Sequence, residues 1–458
     1  MNDLIIDILQ EILLKIKADV LLNDYLSLDS ENPLINISCN DLAVISIGKA
    51  AYEMFLSIED YFLQKETKTP ILNSLLITKK PDNPGYTDLL LDISMLHNMN
   101  IIFADHPFPD EESLYAGKTI YEFIKKHKDK TILFLISGGG SSLAECLYKI
   151  PLIKYNNLIK VLMNNGIDIN QLNVVRKHLS KLKGGYLLSY IKRVRLKANR
   201  KKVFATEIRY MIKQLKNTKP LSNCYSMILS DIHTKEYHNV SSGLTFKDNS
   251  DVNQAKEIIN KYGVINAESY FKYLLETPKN ISSIPYYIVG DNELMLSIIQ
   301  NVLSEKGYNV IIDKYILNEN AALCGLNIGC QIYRHKKIHQ KPCAVIYGGE
   351  ATVEVRGNGI GGRILETALA ISIEIRGLGN VRVLAVASDG KDGNSKAMGV
   401  LVDGYTYDNI LKTGITPERY LRNNDSYTAL LKGATIIPSY HTGTNLNDFI
   451  IVFIETIE

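Results

Sequence analysis

The sequence predicts an α/β fold of two Rossmann-like domains, with largely parallel sheets flanked by helices. Three observations carry that expectation. Short apolar runs recur along the chain, each closed by a turn and followed by a helical pattern. The runs are apolar throughout rather than alternating, as strands covered on both faces by helices are. The strings GKA, SGGG, SD, GGE and SDG all fall at the carboxyl ends of these runs, where open α/β sheets place their ligands.

Taken in order, residues 1–22 are apolar at helical spacing but broken by acids and lysines. That pattern makes an amphipathic helix, neither a signal peptide nor a membrane span. Strand–turn–helix patterns follow at 41–62 and 131–150, with a further strand at 226–233. A second series occupies 286–303, 344–357 and 381–390. Residues 246–283 run polar and helical without a strong strand. The expected organisation is therefore an N-terminal α/β domain over 1–250, a helical connection over 250–285 and a C-terminal α/β domain over 285–458. The active site is expected in the cleft between the two domains.

The chain has 458 residues, 46% hydrophobic and 22% charged, with a formal net charge of +3. That balance is ordinary for globular proteins and too small to imply a nucleic-acid partner. The densest basic stretch, 192–202, reads as solvated surface. No segment has about 18 uninterrupted apolar residues, so no membrane partner is expected. Six cysteines without C-x-x-C or metal-site spacing read as reduced residues of a cytoplasmic protein.

Several motifs carry chemistry. Gly48-Lys49 sits between a strand and a helix, so Lys49 can meet an anion held by helix N-terminal amides. Ser137, Gly138, Gly139, Gly140 and Ser141 form a glycine-rich turn suited to a phosphate or carboxylate. The basic segment 173–185 is expected to be a helix ending in a glycine cap, with Arg176 and Lys183 on one face toward an anionic substrate. Asp231 ends a strand and can bind a metal or accept a proton. Residues 348–363 combine Glu350, a dense glycine series and Arg363, which opens the next helix and suits an anion. Asp389 and Asp392, on a tight glycine turn, suit Mg²⁺. Asn447 and Asp448 lie in a polar loop that could line a site for a small polyhydroxy acid.

GNGIGG at 357–362 also matches G-x-G-x-x-G, so a nicotinamide-dependent reductase has to be weighed. Its expected acid at the end of the next strand, Asp389, lies 27 residues beyond Gly362. The three-glycine turn, Lys49 and Asp392 together serve phosphoryl chemistry better than hydride transfer.

These segments, from GKAA (48–51) through HPFPDEES (106–113), ISGGGSSL, NVVRKHLSKLKGG, LSD, GGEATVEVRGNGIGGR and ASDGKDG to NNDSY and HTGTNLND, resemble the class II glycerate 2-kinases that carry a MOFRL domain. The resemblance spans residues 41–448. It implies ATP- and Mg²⁺-dependent phosphorylation of D-glycerate at the 2-hydroxyl. It also implies Lys49 and Arg363 in catalysis. The chemistry of the residues themselves adds Asp231 to catalysis and puts Ser137–Ser141, Glu350 and Asn447 on the nucleotide. Arg176, Lys183 and Asp448 would then face the substrate, and Asp389 and Asp392 the metal. D-glycerate and ATP are the implied partners, and homodimerisation stays open. The chain departs from the family pattern in three places. Asp231 is followed by IHTKEYHNVSSGLT in place of paired acids, Ile364 replaces an amide, and the stretch 192–218 is longer. A hydroxypyruvate reductase and a catalytically impaired nucleotide or sugar-acid binder are the alternative readings.

Overall fold

The order of strands in the first sheet carries the main architectural information. In the computed structural model, which describes residues 2–28, 32–65, 73–81, 84–96, 99–201, 221, 223–232, 235–338 and 342–455, the chain divides into two compact units. The N-terminal unit comprises Leu22–Ser230 and Thr234–Val289. The C-terminal unit comprises Met1–Leu21, Asp231–His233 and Gly290–Glu458.

In the N-terminal unit, β1 (Leu42–Ile47), β2 (Ser74–Lys79), β3 (Asn100–Ala104), β4 (Thr131–Ile136), β5 (Cys224–Leu229) and β6 (Tyr286–Gly290) form one sheet in the order β3-β2-β1-β4-β5-β6. The pairings from β3 through β5 are parallel. Every residue of β1 is buried, as expected for a central strand covered on both faces. The order reverses direction between β1 and β4. That reversal opens a crevice at their carboxyl ends, the usual ligand position in this class of sheet. Helix Glu111–Lys126 starts on a capping box in which Asp110 accepts from the Ser113 amide and the Ser113 hydroxyl accepts from the Asp110 amide. This accounts locally for the acidic run of HPFPDEES.

Residues 250–285 lie within this unit. Helix Val252–Lys261 packs on helices Leu152–Asn164 and Ile169–Leu179 around Tyr155, Leu158, Val175 and Ile259. The fully buried Ala255 and Ile259 of that helix explain why a polar-looking segment belongs to a core.

The C-terminal unit has a second six-stranded sheet. Its strands are β7 (Asn309–Leu317), β8 (Cys343–Gly349), β9 (Val381–Ala387), β10 (Ala397–Asp403), β11 (Thr435–Pro438) and β12 (Asp448–Ile454), in the order β11-β10-β9-β12-β8-β7. Only β7 and β8 run parallel, and the other four pairings are antiparallel. The largely parallel arrangement read from the sequence thus holds for the first sheet and not for this one. The reason is physical. Strands β8, β9 and β12 are buried along nearly their whole length, so they lack the alternation that usually marks antiparallel strands. Helices Ala321–Ile338 and Arg363–Glu374 supply one core, and helix Asn292–Glu305 packs on β7 and β8. Helix Asn2–Lys15 buries Ile5, Ile8, Leu9, Ile12 and Leu13, a spacing that makes one continuous stripe, and packs on helix Asn292–Glu305. Among the described residues no helix is long and apolar enough to cross a membrane.

Buried charge in the N-terminal unit corrects one expectation. Helix Ile169–Leu179 ends with Ser180 in an extended conformation rather than on a glycine cap, because residue 180 bridges to Leu147. Lys183 therefore lies beyond the helix and does not share a face with Arg176. It is fully buried, ion-paired with Glu145, and donates to the Ala144 carbonyl at 3.3 Å. Glu145 also accepts from the Ser180 hydroxyl and the Cys146 amide. Burial pushes the Lys183 ammonium down from its ordinary range, against the pull of Glu145. Lys183 is thus a core residue rather than a substrate ligand. Lys183→Met leaves a buried carboxylate unpaired and is expected to destabilise the protein by about 3–5 kcal/mol in denaturant melts. Lys183→Met with Glu145→Leu should recover most of that loss, and equal losses in both would contradict the assignment.

Candidate functional site in the two units

The crevice of the N-terminal unit is built by the chain as it leaves β1 and β4. Gly48 has φ +131°, and a Cβ there would lie 2.1 Å from Ser137 Oγ and 2.6 Å from the Ser137 carbonyl oxygen. Only glycine permits that approach. The Lys49 amide then donates to the Gly138 carbonyl at 2.9 Å, and the Ala50 amide donates to Ser137 Oγ at 3.1 Å. Ser137 is completely buried and caps helix Ala51–Lys65 from the neighbouring strand. Its hydroxyl is spent inside the protein.

Lys49 sits two residues before that 15-residue helix, where the partial positive charge of the helix terminus adds to its own. Its side chain runs beside Gly139, where a Cβ would lie 3.3 Å from Lys49 Cγ and 3.1 Å from His106 Cδ2. Lys49, His106 and the triglycine turn are therefore neighbours. The helix after the triglycine turn is one turn long, Gly140–Leu143. Any anion at this turn is held by local amides and Lys49 rather than by a long helix dipole.

Arg176 is half-buried against the Tyr155 hydroxyl. Its neighbours Lys177 and His178 are buried, not solvated. Lys177 pairs with Asp248 at 3.5 Å, and His178 bonds the Leu275 carbonyl at 2.8 Å. Burial pushes both the Lys177 and His178 cations down. The basic stretch 192–202 is the end of helix Tyr186–Lys201 together with residue 202, which lies outside the described residues, as do residues 203–218 of the longer insertion. Arg195 in this helix donates to the Lys130 carbonyl at 2.8 Å.

In the C-terminal unit a second group of predicted residues is brought together. Asp448 opens β12 between Gly349 of β8 and Ala387 of β9. Arg363, the first residue of its helix, meets Asp448 through two nitrogens, Nε at 2.5 Å and Nη2 at 3.1 Å, and meets Glu350 through Nη1 at 2.9 Å. Asn447, in the left-handed region at φ +68°, donates to Glu350 Oε2 at 2.7 Å and to the Asp231 carbonyl at 2.6 Å. Asn445 donates to the Asp231 carboxylate at 3.3 Å. Asp231, Glu350, Arg363, Asn447 and Asp448 thus form one cluster. Asn445 is a member that sequence reasoning missed, although its position in the same polar loop was the available signal.

One atom of this cluster stands out. Among the described residues, Asn447 Oδ1 is buried without a hydrogen-bond partner, so it is an acceptor left for a donor or cation from a ligand.

Asp392 has a different task from the one expected. Its carboxylate accepts from the Ile364 and Leu365 amides at 3.2 and 2.9 Å and caps the helix that Arg363 starts. It is almost fully buried, and burial pushes its carboxyl up against the pull of those amides. Asp389 is only partly buried and remains the more accessible acid of the pair. Among the described residues no cluster of three or more His, Cys, Asp or Glu could hold a metal.

The glycines of 357–362 also find a local explanation. Cβ atoms at Gly357, Gly359, Gly361 and Gly362 would fall 2.2 Å from the Asn423 carbonyl oxygen, 2.4 Å from Asp425 Cβ, 2.3 Å from Ser426 Oγ and 2.3 Å from Asp392 Oδ1. Asn424 accepts from the Arg356 and Gly357 amides, and Asp425 from the Ile360 amide. The loop is gripped by its own chain where a pyrophosphate would have to lie. The NNDSY segment clamps it. Cys330 is exposed and Cys146 half-buried, while the other four cysteines are buried.

Burial pushes the Asp448 carboxyl up to about 7, opposed by Arg363 and reinforced by Glu350 and Asp392. A carboxyl raised in the folded state favours folding while protonated. That contribution is complete below about pH 4 and is lost as the pH rises through 7. The stability of the parent protein relative to Asp448→Asn should therefore fall between pH 5 and pH 8, by roughly 1 kcal/mol per pH unit at the steepest. Denaturant melts across that range check this, and a difference that grows with pH refutes it.

Comparison with known proteins adds independent weight. Residues 4–198 match the family described as a domain of unknown function, DUF4147, and residues 343–448 match the MOFRL family. A D-glycerate 2-kinase of Thermotoga maritima is 31% identical over 91% of this chain and 92% of its own length. A glycerate 2-kinase of Pyrococcus horikoshii is 29% identical over 90% and 87%. The crystal structure of the Thermotoga maritima glycerate kinase superposes with a TM-score of 0.75 at 30% identity, covering 99% of both chains. A Pyrococcus horikoshii protein structure gives 0.68 at 25% identity, covering 100% and 99%. With the strand reversal beside Lys49 and the Arg363 cluster in place, the chain belongs to the glycerate 2-kinase family with a MOFRL domain.

Proposed function

We propose that this protein transfers the γ-phosphoryl group of ATP to the 2-hydroxyl of D-glycerate, giving 2-phosphoglycerate and ADP. The observation that carries the reading is the placement of Lys49 beside the triglycine turn at the strand reversal. A cation and closely approaching backbone at a ligand crevice is what a transferring phosphate needs. The relatives named as glycerate 2-kinases support the acceptor.

Phosphoryl transfer asks little covalent chemistry of the protein. Charge gathers on the equatorial oxygens of the phosphoryl group, so cations and positioning lower the barrier. Lys49 and Arg363 supply fixed positive charge for the phosphoryl group and the glycerate carboxylate. Asp448 and Glu350 hold the Arg363 guanidinium from two sides and so fix its direction. Asp231, held by Asn445, is the carboxylate assigned to receive the substrate hydroxyl proton.

Mg²⁺ in such enzymes rides on the nucleotide phosphates and takes one or two carboxylates rather than a full protein cage. The donor set fits that mode. Asp389 and the partnerless Asn447 Oδ1 would hold the ion, next to Ser388, whose amide meets the Asn447 carbonyl at 3.2 Å. When bound, the ion offsets phosphate charge.

The reductase alternative loses its motif, because Asn423, Asp425, Ser426 and Asp392 press on the glycines of 357–362.

A coupled ADP-release assay with D-glycerate, ATP and Mg²⁺ should show turnover, with the phosphate located on carbon 2. Product phosphorylated at carbon 3 overturns the regiochemistry, and NAD(P)H oxidation with hydroxypyruvate without ATP overturns the class. Lys49→Ala and Arg363→Ala should each lower kcat/KM by about 10³-fold, with melting curves recorded because the second leaves Asp448 unpaired. Near-normal turnover in both variants removes these roles.

A further inference from the structure

The triglycine turn is tied to a polar stripe on a helix that the mechanism leaves unused. Asn170, Asn173 and Lys177 lie at positions i, i+3 and i+7 of helix Ile169–Leu179 and so share a face. All three grip the segment Tyr237–Ser242. Asn170 accepts from the Asn239 side-chain amide at 2.7 Å, Lys177 reaches Asn239 Oδ1 at 3.4 Å, and Asn173 donates to the Asn239 carbonyl at 3.4 Å. The gripped segment ends in two left-handed serines, Ser241 and Ser242, and both touch the triglycine turn. Ser241 donates to the Ser137 carbonyl at 3.1 Å, and the Ser242 and Ser141 hydroxyls are 2.7 Å apart.

The direction of the last contact follows from donor counting. A backbone carbonyl only accepts, so the Asn173 nitrogen must face Asn239 and its oxygen must face Ser242. That oxygen lies 2.7 Å from the Ser242 hydroxyl, which therefore donates to it. A hydroxyl has one proton, so in the remaining contact Ser141 is the donor and Ser242 the acceptor. The Ser141 proton is committed to the interior.

We propose that Ser141 is a positioning residue and not a phosphate donor. Through Ser242 and Asn173 it fastens the triglycine turn in the shape that presents its backbone amides to the nucleotide. Lys177, paired with Asp248, anchors the far end of the chain. The nucleotide part of this proposal rests on the kinase reading above, whereas the tether itself does not.

A double-mutant cycle of Ser141→Ala, Ser242→Ala and their combination separates the two roles. It is read by calorimetric titration with ADP, by KM for ATP and for D-glycerate, and by thermal melts. Both single changes delete the Ser141–Ser242 hydrogen bond, and Ser242→Ala also deletes the one to Asn173. Ser141→Ala should therefore raise the ADP Kd about fivefold, Ser242→Ala at least as much, and the double variant no more than Ser242→Ala. KM for ATP follows the ADP result, and KM for D-glycerate stays within about twofold, a split that general loosening of the fold does not produce. A Ser141 that donates to phosphate gives a larger loss in Ser141→Ala than in Ser242→Ala and multiplied losses in the double variant. That pattern overturns the proposal, as does unchanged ADP binding in all three. If the parent protein binds no ADP, the kinase reading fails on its own. The tether is then judged by melting temperatures, where non-additive losses support it and additive losses reject it.

Discussion

The close approach of Gly48 to Ser137 is the constraint from which the N-terminal site follows. Two parallel strands, β1 and β4, diverge in their onward connections, and the chain leaving each must turn within the same small space. The missing side chain at Gly48 lets Ser137 enter and cap the helix that carries Lys49. The same contact brings the Gly138 carbonyl onto the Lys49 amide. Lys49 is thus directed by backbone geometry on both sides, and the triglycine turn lies beside it as a consequence of sheet topology.

The C-terminal unit solves a comparable problem with antiparallel strands. Asp448 starts β12 at the level where β8 ends, and this puts its carboxylate against the first residue of the helix following the glycine loop. Asp392 caps that helix from a different loop. The glycine series allows both the NNDSY segment and Asp392 to press directly on the backbone. Dense glycine here serves packing between loops, which in turn fixes where Arg363 begins.

Buried charges in the two units are handled alike but serve different ends. Lys183–Glu145 is sealed and supported by neighbouring donors, so it specifies the core. Lys177–Asp248 is buried behind the segment that touches the triglycine turn. Arg363 retains 28% side-chain exposure beside the almost fully buried Asp448. Only the last of these pairs leaves a cation accessible to an incoming anion.

The sequence by itself determined the α/β class, the strand ends that carry chemistry and the family, because apolar runs, glycine turns and short motifs are local properties. Lys49, the triglycine turn, Arg363 and Asp448 were each legible in that way from their own motifs, but the contacts of Lys49 with the turn and of Arg363 with Asp448 were not. The direction of the second sheet was not, since strands covered on both faces lose the alternation that separates antiparallel from parallel pairing. Nor could local pattern tell that Lys183 is sealed by Glu145, that Asp392 caps a helix, or that Ser137 faces inward. Those outcomes depend on partners dozens of residues away, and only the tertiary structure decides which of several charged or hydroxyl groups is consumed by the protein and which is left for a ligand.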